Sequence, residues 1–594
     1  MQVKKRDEIE EKYTWKTEDM IASKEEWDRL YSAVENGIAE ITVCSGKLND
    51  KKNILDCLKT STKYEDILSR MFCYSHMKRD QDVGNGENKA LFDSVYNLYI
   101  RYSGETSFVM PQLSALDESY LKELASDKDF ADYSYLIEGI IKDKKHTLGE
   151  KEEKILAMTH MFSSVPQEAF SMLNNADIRF EPFKDSKGEE IKLSHGVYSL
   201  MMQSPVREDR EKAFNSMYHA FESNINTLAS LYNGNVQKNV FYARVRGFDS
   251  CLAAAAHGED VPTAVYERLS ACIDANVGKL HDYLEFRRKK MGLDKLHMYD
   301  LHVPVVEGYE MGMDYEDACK LVVKALAPMG ERYCKLLEKA FAERWVDVYE
   351  NKGKRSGAYS TGCYGCHPYV LLNYQRTTHD VFTIAHEMGH SLHTYFSNET
   401  QPMPKADYKI FVAEVASTVN ETLLLNYLLR NCKDKKEKEF LLSYMLDMFR
   451  TTVFRQTQFA QFEYAAHTAA ENGTALTPDF LNDLYYKLNC KYYGGERVVN
   501  DDLIKYEWSR IPHFYTAFYV YKYATGLISA VCIAADILEK GESALNNYMK
   551  FLSAGGSMPP VEILKLAGVD LTTDEPFEKA MKVMDNYLKE LRSL

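Results

Sequence analysis

The 594-residue sequence has little proline and little glycine, 15 and 30 residues respectively. Both residue types interrupt regular secondary structure, so their scarcity argues against a loop-rich or all-β protein. Leucine, glutamate, lysine and alanine are frequent, and apolar residues return every three or four positions through much of the chain. The sequence therefore predicts a mainly α-helical protein.

Positive charge is also in short supply. The chain has 73 Lys and Arg residues against 88 Asp and Glu residues, which gives a net charge of −15. A nucleic-acid-binding surface would need a basic stripe that attracts phosphates. We therefore expect no nucleic-acid partner.

Long apolar runs are missing as well. The start, "MQVKKRDEIEEKYTW", has no apolar segment of signal-peptide length, and the uncharged run Tyr523–Ala535 is too short to span a bilayer. The twelve cysteines follow no regular spacing, as expected of free thiols in a reducing compartment. These features predict a cytoplasmic protein with no membrane partner.

The chain is too long for one simple core and contains no internal repeat, so two or more lobes are expected, with a boundary near residues 190 to 210. One stretch departs from the helical pattern. Lys354–Tyr374, "KRSGAYSTGCYGCHPYVLLNY", is rich in glycine and β-prone residues, which indicates strands and loops. We expect a small β-sheet there, beside the helix that follows.

That helix carries "VFTIAHEMGHSLHTYF", in which polar residues interrupt an apolar run. His386 and His390 are four residues apart, so both imidazoles lie on one helical face and can bind one metal ion. Glu387 is placed to hold a metal-bound water and take its proton. This H-E-x-x-H spacing is typical of zinc peptidases.

A third ligand must come from another segment. Glu414 stands in the apolar run "IFVAEVAS", where a buried carboxylate needs a metal or an ion-pair partner. Glu421, seven residues later on the same helical face, could hydrogen-bond a metal-bound imidazole or lie at the surface. His393 is too far along the axis to share the ion easily, so we expect it to support the site or contact substrate. The metzincin pattern fails, because His393 and Phe396 occupy the positions that require glycine and histidine.

With these motifs in place, the chain resembles the oligoendopeptidase F family of thimet-oligopeptidase-like zinc metallopeptidases. The resemblance covers nearly the whole length and includes "YTWKTEDM", "GKRSGAYSTG", "HEMGHSLH", "IFVAEVASTVNE" and "IPHFYTAFYVYKYATG". It implies a mainly α, multi-helical, bowl-like fold with a small sheet beside the metal helix and the site in an internal channel. It also implies an N-terminal helical oligopeptidase F-type domain over residues 1–200 and a zinc metallopeptidase catalytic domain over residues 201–594.

The resemblance assigns roles to individual residues. It implies that His386, His390 and Glu414 bind one Zn²⁺ per chain and that Glu387 is the general base and acid. It further implies histidine and tyrosine groups late in the chain.

In that late segment, His513 and Tyr515 are the favoured catalytic candidates, because a tyrosine hydroxyl can stabilise an oxyanion and a histidine can bind the substrate backbone. Tyr521 is taken as a substrate contact, but the spacing does not decide which of Tyr519, Tyr521 and Tyr523 faces the cleft.

The segment "SGAYS" looks like the part of the family fold that pairs with an extended peptide. Gly357, Ala358 and Tyr359 are therefore predicted to bind substrate through main-chain hydrogen bonds, which tolerate many side chains. A purely structural hairpin is the alternative at these positions.

The predicted function is zinc-dependent endopeptidase activity on short oligopeptides in an internal channel, with Glu387 activating a zinc-bound water. Two alternatives stay open: a zinc metallocarboxypeptidase on a related helical fold, and a non-catalytic helical scaffold that binds peptides. The sequence does not indicate the oligomeric state.

A competing motif, "CYGCH" at Cys363–His367, matches the pattern of c-type haem attachment. No export signal accompanies it, and it lies inside the peptidase-like strand segment, so we reject haem binding. Two thiols beside the metal site could still make the enzyme sensitive to oxidation.

Overall fold

The structure is a computed structural model that describes residues 3–306 and 308–594. Most of these residues are helical. The first helices, in chain order, are α1 (Lys24–Thr42), α2 (Lys51–Gln81), α3 (Gly86–Thr106), α4 (Val109–Ser114), α5 (Glu118–Ser126), α6 (Ser134–Asp143), α7 (Glu150–Ser163), α8 (Val165–Met172), α9 (His195–Met201), α10 (Arg207–Ser223), α11 (Ile225–Val245), α12 (Cys251–Glu259) and α13 (Thr263–Lys290).

The remaining helices are α14 (Tyr315–Ala325), α15 (Gly330–Ala342), α16 (Thr378–Thr400), α17 (Met403–Ala406), α18 (Ile410–Asn431), α19 (Lys435–Met448), α20 (Arg455–Glu471), α21 (Pro478–Tyr492), α22 (Tyr521–Lys540), α23 (Glu542–Leu552), α24 (Pro560–Leu566) and α25 (Glu575–Ser593). The strands are β1 (Phe183–Lys184), β2 (Glu190–Ile191), β3 (Leu296–His297), β4 (Val346–Asp347), β5 (Tyr359–Thr361), β6 (Tyr369–Leu371) and β7 (Val498–Val499).

The chain divides into two compact units, each assembled from three segments. Unit 1 comprises residues 1–145, 310–428 and 533–569. Unit 2 comprises residues 146–309, 429–532 and 570–594. The predicted division into residues 1–200 and 201–594 stays a prediction about domains of the family type.

Unit 1 contains a three-stranded sheet in the order β4-β6-β5. β4 runs parallel to β6, and β5 runs antiparallel to β6 with Ser360 opposite Val370. β5 is therefore an edge strand, and both β5 and β6 contact α16. The sheet continues into a core of α1 to α3 that includes Met71, Val95 and Tyr369, all fully buried. The predicted small sheet beside the histidine helix is confirmed.

Helix α16 begins at a capping box. The Thr377 hydroxyl accepts a hydrogen bond from the Asp380 N–H at 3.1 Å, and the Asp380 carboxylate accepts from the Thr377 N–H at 2.8 Å. Such a pair satisfies N–H groups that a helix start leaves unbonded. This start fixes the register of the helix, so that His386 and His390 face α18.

Unit 2 is built from α7 to α13, α19 to α21 and α25, with β1 paired to β2 and β3 paired to β7. Within it α11 packs on α20, and α13 packs on α25. The segment after α21 forms short 3₁₀ turns at Asp502–Arg510 and Pro512–Tyr515. These turns carry the predicted His513 and Tyr515.

One helix among the described residues, α22, is long and apolar enough to cross a membrane. However, 83% of its apolar window is buried inside the protein, as the core helix of a folded protein would be.

The prediction of a mainly α-helical protein is confirmed.

Candidate metal centre

Three side chains in unit 1 converge on one point. The Nε2 atoms of His386 and His390 are 3.2 Å apart, and Oε2 of Glu414 lies 3.5 Å from the first and 3.7 Å from the second. Tetrahedral zinc with bonds of about 2.0–2.1 Å places its ligand atoms about 3.3 Å apart. Two imidazoles and a carboxylate at these spacings therefore fit one face of a tetrahedral zinc site.

The charges around this triangle also indicate a site for a cation. Burial lowers the pKa of His386, but its hydrogen bond with Glu421 and the charges of Glu387 and Glu414 outweigh burial and raise this pKa to about 9. Burial, aided by the charge of His386, lowers the pKa of His390 to about 3. The surrounding carboxylates therefore favour a positive charge at this position. A divalent cation would supply the same charge more strongly.

Glu421, on α18, orients the first histidine. Its Oε1 lies 3.2 Å from Nδ1 of His386. A carboxylate on Nδ1 fixes the tautomer that leaves Nε2 as the metal-binding atom. For His390, the backbone of Ala413 acts against burial and raises the pKa of the ring.

Glu387 is 7% exposed and is not part of the ligand triangle. Burial raises the pKa of its carboxyl group to about 7. The charge of His386 lowers this pKa, Glu414 and Glu421 raise it, and a hydrogen bond from the backbone N–H of Ser360 lowers it. A carboxyl group that titrates near neutrality suits proton transfer at physiological pH.

Gly389 explains how α16 and α18 approach closely enough to share ligands. A Cβ atom at this position would lie 2.5 Å from Cα of Ser417 and 2.7 Å from the carbonyl oxygen of Ala416. Asn420 also links the helices, because its Nδ2 donates to the Ala385 carbonyl at 2.9 Å. Sequence reasoning missed both residues, although a glycine between two ligand positions of a buried helix is a visible signal.

The predicted substrate segment leads into the edge strand β5. Gly357 is exposed and Ala358 is half-buried, while Asn373 Nδ2 donates to the Gly357 carbonyl at 2.8 Å. The Tyr359 hydroxyl donates to Asp80 at 3.1 Å, so this side chain anchors the strand to α2. At the other side, Ser360 Oγ lies 2.8 Å from Ser391 Oγ on α16.

The structure buries His393. Its ring is 1% exposed and stacks on Tyr408 at 3.8 Å and on Phe551 at 5.1 Å. Neither ring nitrogen has a hydrogen-bond partner, and burial lowers the pKa of the ring to about 3. A direct substrate contact requires accessible surface, so in this structure His393 packs behind the ligand face instead.

In unit 2, the exposed ring of His513 lies beside two tyrosines. Its Nε2 is 3.4 Å from the Tyr523 hydroxyl, and its ring centroid is 6.0 Å from that of Tyr519. Tyr515 is 6% exposed and stacks on Phe170 at 4.4 Å. Tyr521 is 3% exposed, with its ring against Tyr266 at 5.5 Å.

These positions revise one expectation. Tyr519 and Tyr523 gather around His513, whereas Tyr521 points into the core of unit 2 because its ring packs on α13. The substrate contact expected of Tyr521 therefore lacks an accessible surface. The catalytic roles of His513 and Tyr515 stay predictions.

Comparisons with known proteins identify the family to which the chain belongs. Residues 200–583 match the model of Peptidase family M3, and residues 112–180 match the model named Oligopeptidase F. The chain belongs to peptidase family M3. Its matched length exceeds half of the sequence, and both family matches agree with the resemblance drawn from the motifs.

Full-length relatives support the same assignment. The chain is 42% identical to oligopeptidase PepF of Bacillus subtilis over all of this chain and 89% of that protein. It is 38% identical to group B oligopeptidase PepB of Streptococcus agalactiae, covering 99% and 98% of the two chains. The crystal structure of oligoendopeptidase-F from Enterococcus faecium matches with a TM-score of 0.74 and 33% identity, covering 96% and 98%.

As a family M3 member, the chain is a metalloendopeptidase, and its substrates are peptides. The predicted enzyme class is confirmed. The His386, His390 and Glu414 group is the candidate metal site of this peptidase.

Proposed function

We propose that the protein is a cytoplasmic, zinc-dependent oligoendopeptidase that hydrolyses short peptides in an internal channel. The observation that supports this most directly is the triangle of His386, His390 and Glu414 ligand atoms, whose edges of 3.2 to 3.7 Å suit zinc. The channel and the preference for short peptides rest on the family resemblance.

His386, His390 and Glu414 would hold the ion, which when bound supplies a Lewis acid for the scissile carbonyl. Glu387 takes a proton from the attacking water and passes it to the leaving amine. Glu421 keeps the His386 ring in its binding orientation.

The substrate is proposed to lie extended along β5. Successive residues of a strand direct their backbone groups to alternate edges, so Ala358 and Ser360 share one edge. The Ser360 N–H acts on the Glu387 carboxyl group, so Ala358 is proposed as the residue that pairs with a peptide. Tyr515 or His513 is proposed to stabilise the oxyanion.

Mass spectrometry of products from a small library of end-blocked peptides tests this function, with and without a chelator. We expect internal cleavage that stops when the metal is removed and resumes when zinc is added back. Intact blocked peptides beside trimmed free ones would indicate a carboxypeptidase. Absence of any cleavage by the zinc-loaded protein would indicate a peptide-binding scaffold.

A further inference from the structure

The C-x-x-C segment after β5 has no role in the proposed reaction. Cys363 and Cys366 are the ends of a tight turn, in which the Cys366 N–H donates to the Cys363 carbonyl at 3.4 Å and Gly365 has φ of 74°. The ends of such a turn have Cα atoms less than about 7 Å apart, and disulfides form between Cα atoms about 4.4–6.8 Å apart. The backbone therefore already brings these two cysteines within bonding range.

Cys73, on α2, is a third cysteine near this pair. Both Cys366 and Cys73 act on the pKa of the Cys363 thiol, which indicates that the three thiols are neighbours. Cys73 Sγ also lies 3.6 Å from Thr361 Oγ1 on β5. Cys363 and Cys73 are buried, at 5% and 6% exposure, whereas Cys366 is partly exposed. An oxidant in solution would thus reach Cys366 first.

The surroundings also favour reaction at Cys366. The hydrogen bond from Cys363 lowers the pKa of the Cys366 thiol to about 7. Burial opposes this, the charge of Arg70 assists it, and the charges of Asp66 and Asp19 oppose it. A thiolate is the reactive form of cysteine. A partly exposed thiol of low pKa beside a resolving cysteine is the arrangement found in redox-sensitive proteins.

We propose that Cys363 and Cys366 are a modification site, where a peroxide converts the two thiols into a reversible disulfide. The Cys366 thiol releases its proton to solvent, and the thiolate attacks the peroxide. The O–O bond breaks, a sulfenic acid forms, and the departing hydroxide takes a proton from solvent to give water. Cys363 then attacks the sulfenic sulfur, the S–O bond breaks, and the second water leaves. Two thiols are oxidised and one hydrogen peroxide is reduced to two waters. A dithiol reverses the change by thiol–disulfide exchange.

The position of the turn connects this site to the reaction centre. The Cys363 carbonyl accepts a hydrogen bond from Asn398 Nδ2 on α16 at 3.1 Å. Three residues earlier, Ser360 Oγ lies 2.8 Å from Ser391 Oγ on α16, the helix that carries Glu387. A disulfide draws the two sulfur atoms to about 2.05 Å, so both side chains must rotate, and we infer that this rotation strains the turn next to β5. Since small displacements of catalytic groups are costly, we expect oxidation to slow peptide hydrolysis about tenfold.

The test treats the zinc-loaded full-length enzyme with hydrogen peroxide, then maps disulfides by mass spectrometry without reduction and measures peptidase activity and zinc content. We expect a Cys363–Cys366 link, retained zinc, an activity loss of about tenfold, and recovery with dithiothreitol. Cys366→Ser should form no link and keep its activity under the same treatment, which separates this effect from methionine oxidation. Cys73→Ser is the matched control and should still form the link.

Absence of the link, or a Cys73–Cys363 link in its place, would overturn the site. A link without an activity change, or equal inactivation of Cys366→Ser, would overturn the coupling to catalysis. The activity part rests on the proposed peptidase function, but disulfide mapping does not. If the protein forms the link but cleaves no peptide in either redox state, only the proposed function is contradicted.

Discussion

At the scale of single residues, the site depends on two neighbouring side chains that have different tasks. His386 points at the shared ligand position, while Glu387, the next residue, hydrogen-bonds to β5 and stays outside the ligand triangle. Metal binding and proton transfer are therefore separable by mutation.

Glu387→Gln should keep the metal and lose turnover, because the amide has a similar size but cannot accept the proton. We expect kcat to fall by about 10²- to 10⁴-fold. Metal analysis and peptide hydrolysis measure the two properties. Glu399→Gln, the same change at the exposed end of α16, is the control and should behave as wild type. Turnover of Glu387→Gln at the wild-type rate would reject the mechanism.

The sequence predicted some of these residues well. The i, i+4 spacing placed His386 and His390 together, and an acidic residue inside an apolar run singled out Glu414. The burial expected of Glu414 is wrong, because its side chain is 38% exposed. His393 and Tyr521 were harder, because their burial depends on partners that are distant in sequence. Tyr408 and Phe551 cover His393, and Tyr266 covers Tyr521. Helical periodicity alone does not contain that information.

At the scale of elements, the contact between α16 and α18 sets the size of the ligand triangle. Helical periodicity and low proline content predicted both helices, and the glycine-rich segment predicted the sheet. The closeness of the two helices could not be predicted, since it depends on Gly389 meeting the backbone at Ala416 and Ser417.

Gly389→Ala should force the helices apart, because the added methyl group would overlap the α18 backbone. We expect a loss of about 1–3 kcal/mol in unfolding free energy and at least about a tenfold weaker zinc affinity. Thermal denaturation and zinc titration measure these changes. Gly139→Ala, in an open position on α6, is the control and should be neutral or slightly stabilising. Unchanged zinc affinity in Gly389→Ala would show that the helices can adjust.

At the scale of the whole molecule, the two units alternate along the chain. Each unit has a segment in the first half of the sequence and a segment near its end. Contacts between such distant segments slow folding, because long loops must close before the core forms. Helices predominate in every segment, so composition does not distinguish the two units.

Unit 2 contains a buried carboxyl group that should make its stability depend on pH. Glu463 is fully buried, Oε1 accepts from the Phe518 N–H at 2.7 Å, and Oε2 has no hydrogen-bond partner. Burial raises the pKa of this carboxyl group from 4.5 to about 8, although the Phe518 N–H and Lys522 act against it. The same bond holds the backbone of Phe518 at φ of 51°, next to the segment that carries His513.

Because the folded-state pKa is the higher one, the contribution of Glu463 to stability is complete below pH 4.5 and is lost as pH rises through about 8. Glu463→Gln keeps the acceptor oxygen and removes the ionisation. We expect the melting temperature of Glu463→Gln to increase relative to that of wild type as the pH is raised from 5 to 8.5. Over this range, the difference in unfolding free energy between the two proteins should change by a value on the order of 4 kcal/mol. Comparing the two proteins at each pH cancels other titrating groups, and parallel melting curves would contradict the prediction.

The short edge of β5 affects whether the protein aggregates with other chains. Long unpaired strands recruit other chains and promote aggregation, whereas very short ones do not. β5 offers an edge of only three residues, Tyr359–Thr361. The protein can thus leave a sheet edge open to a guest segment without becoming a template for fibres.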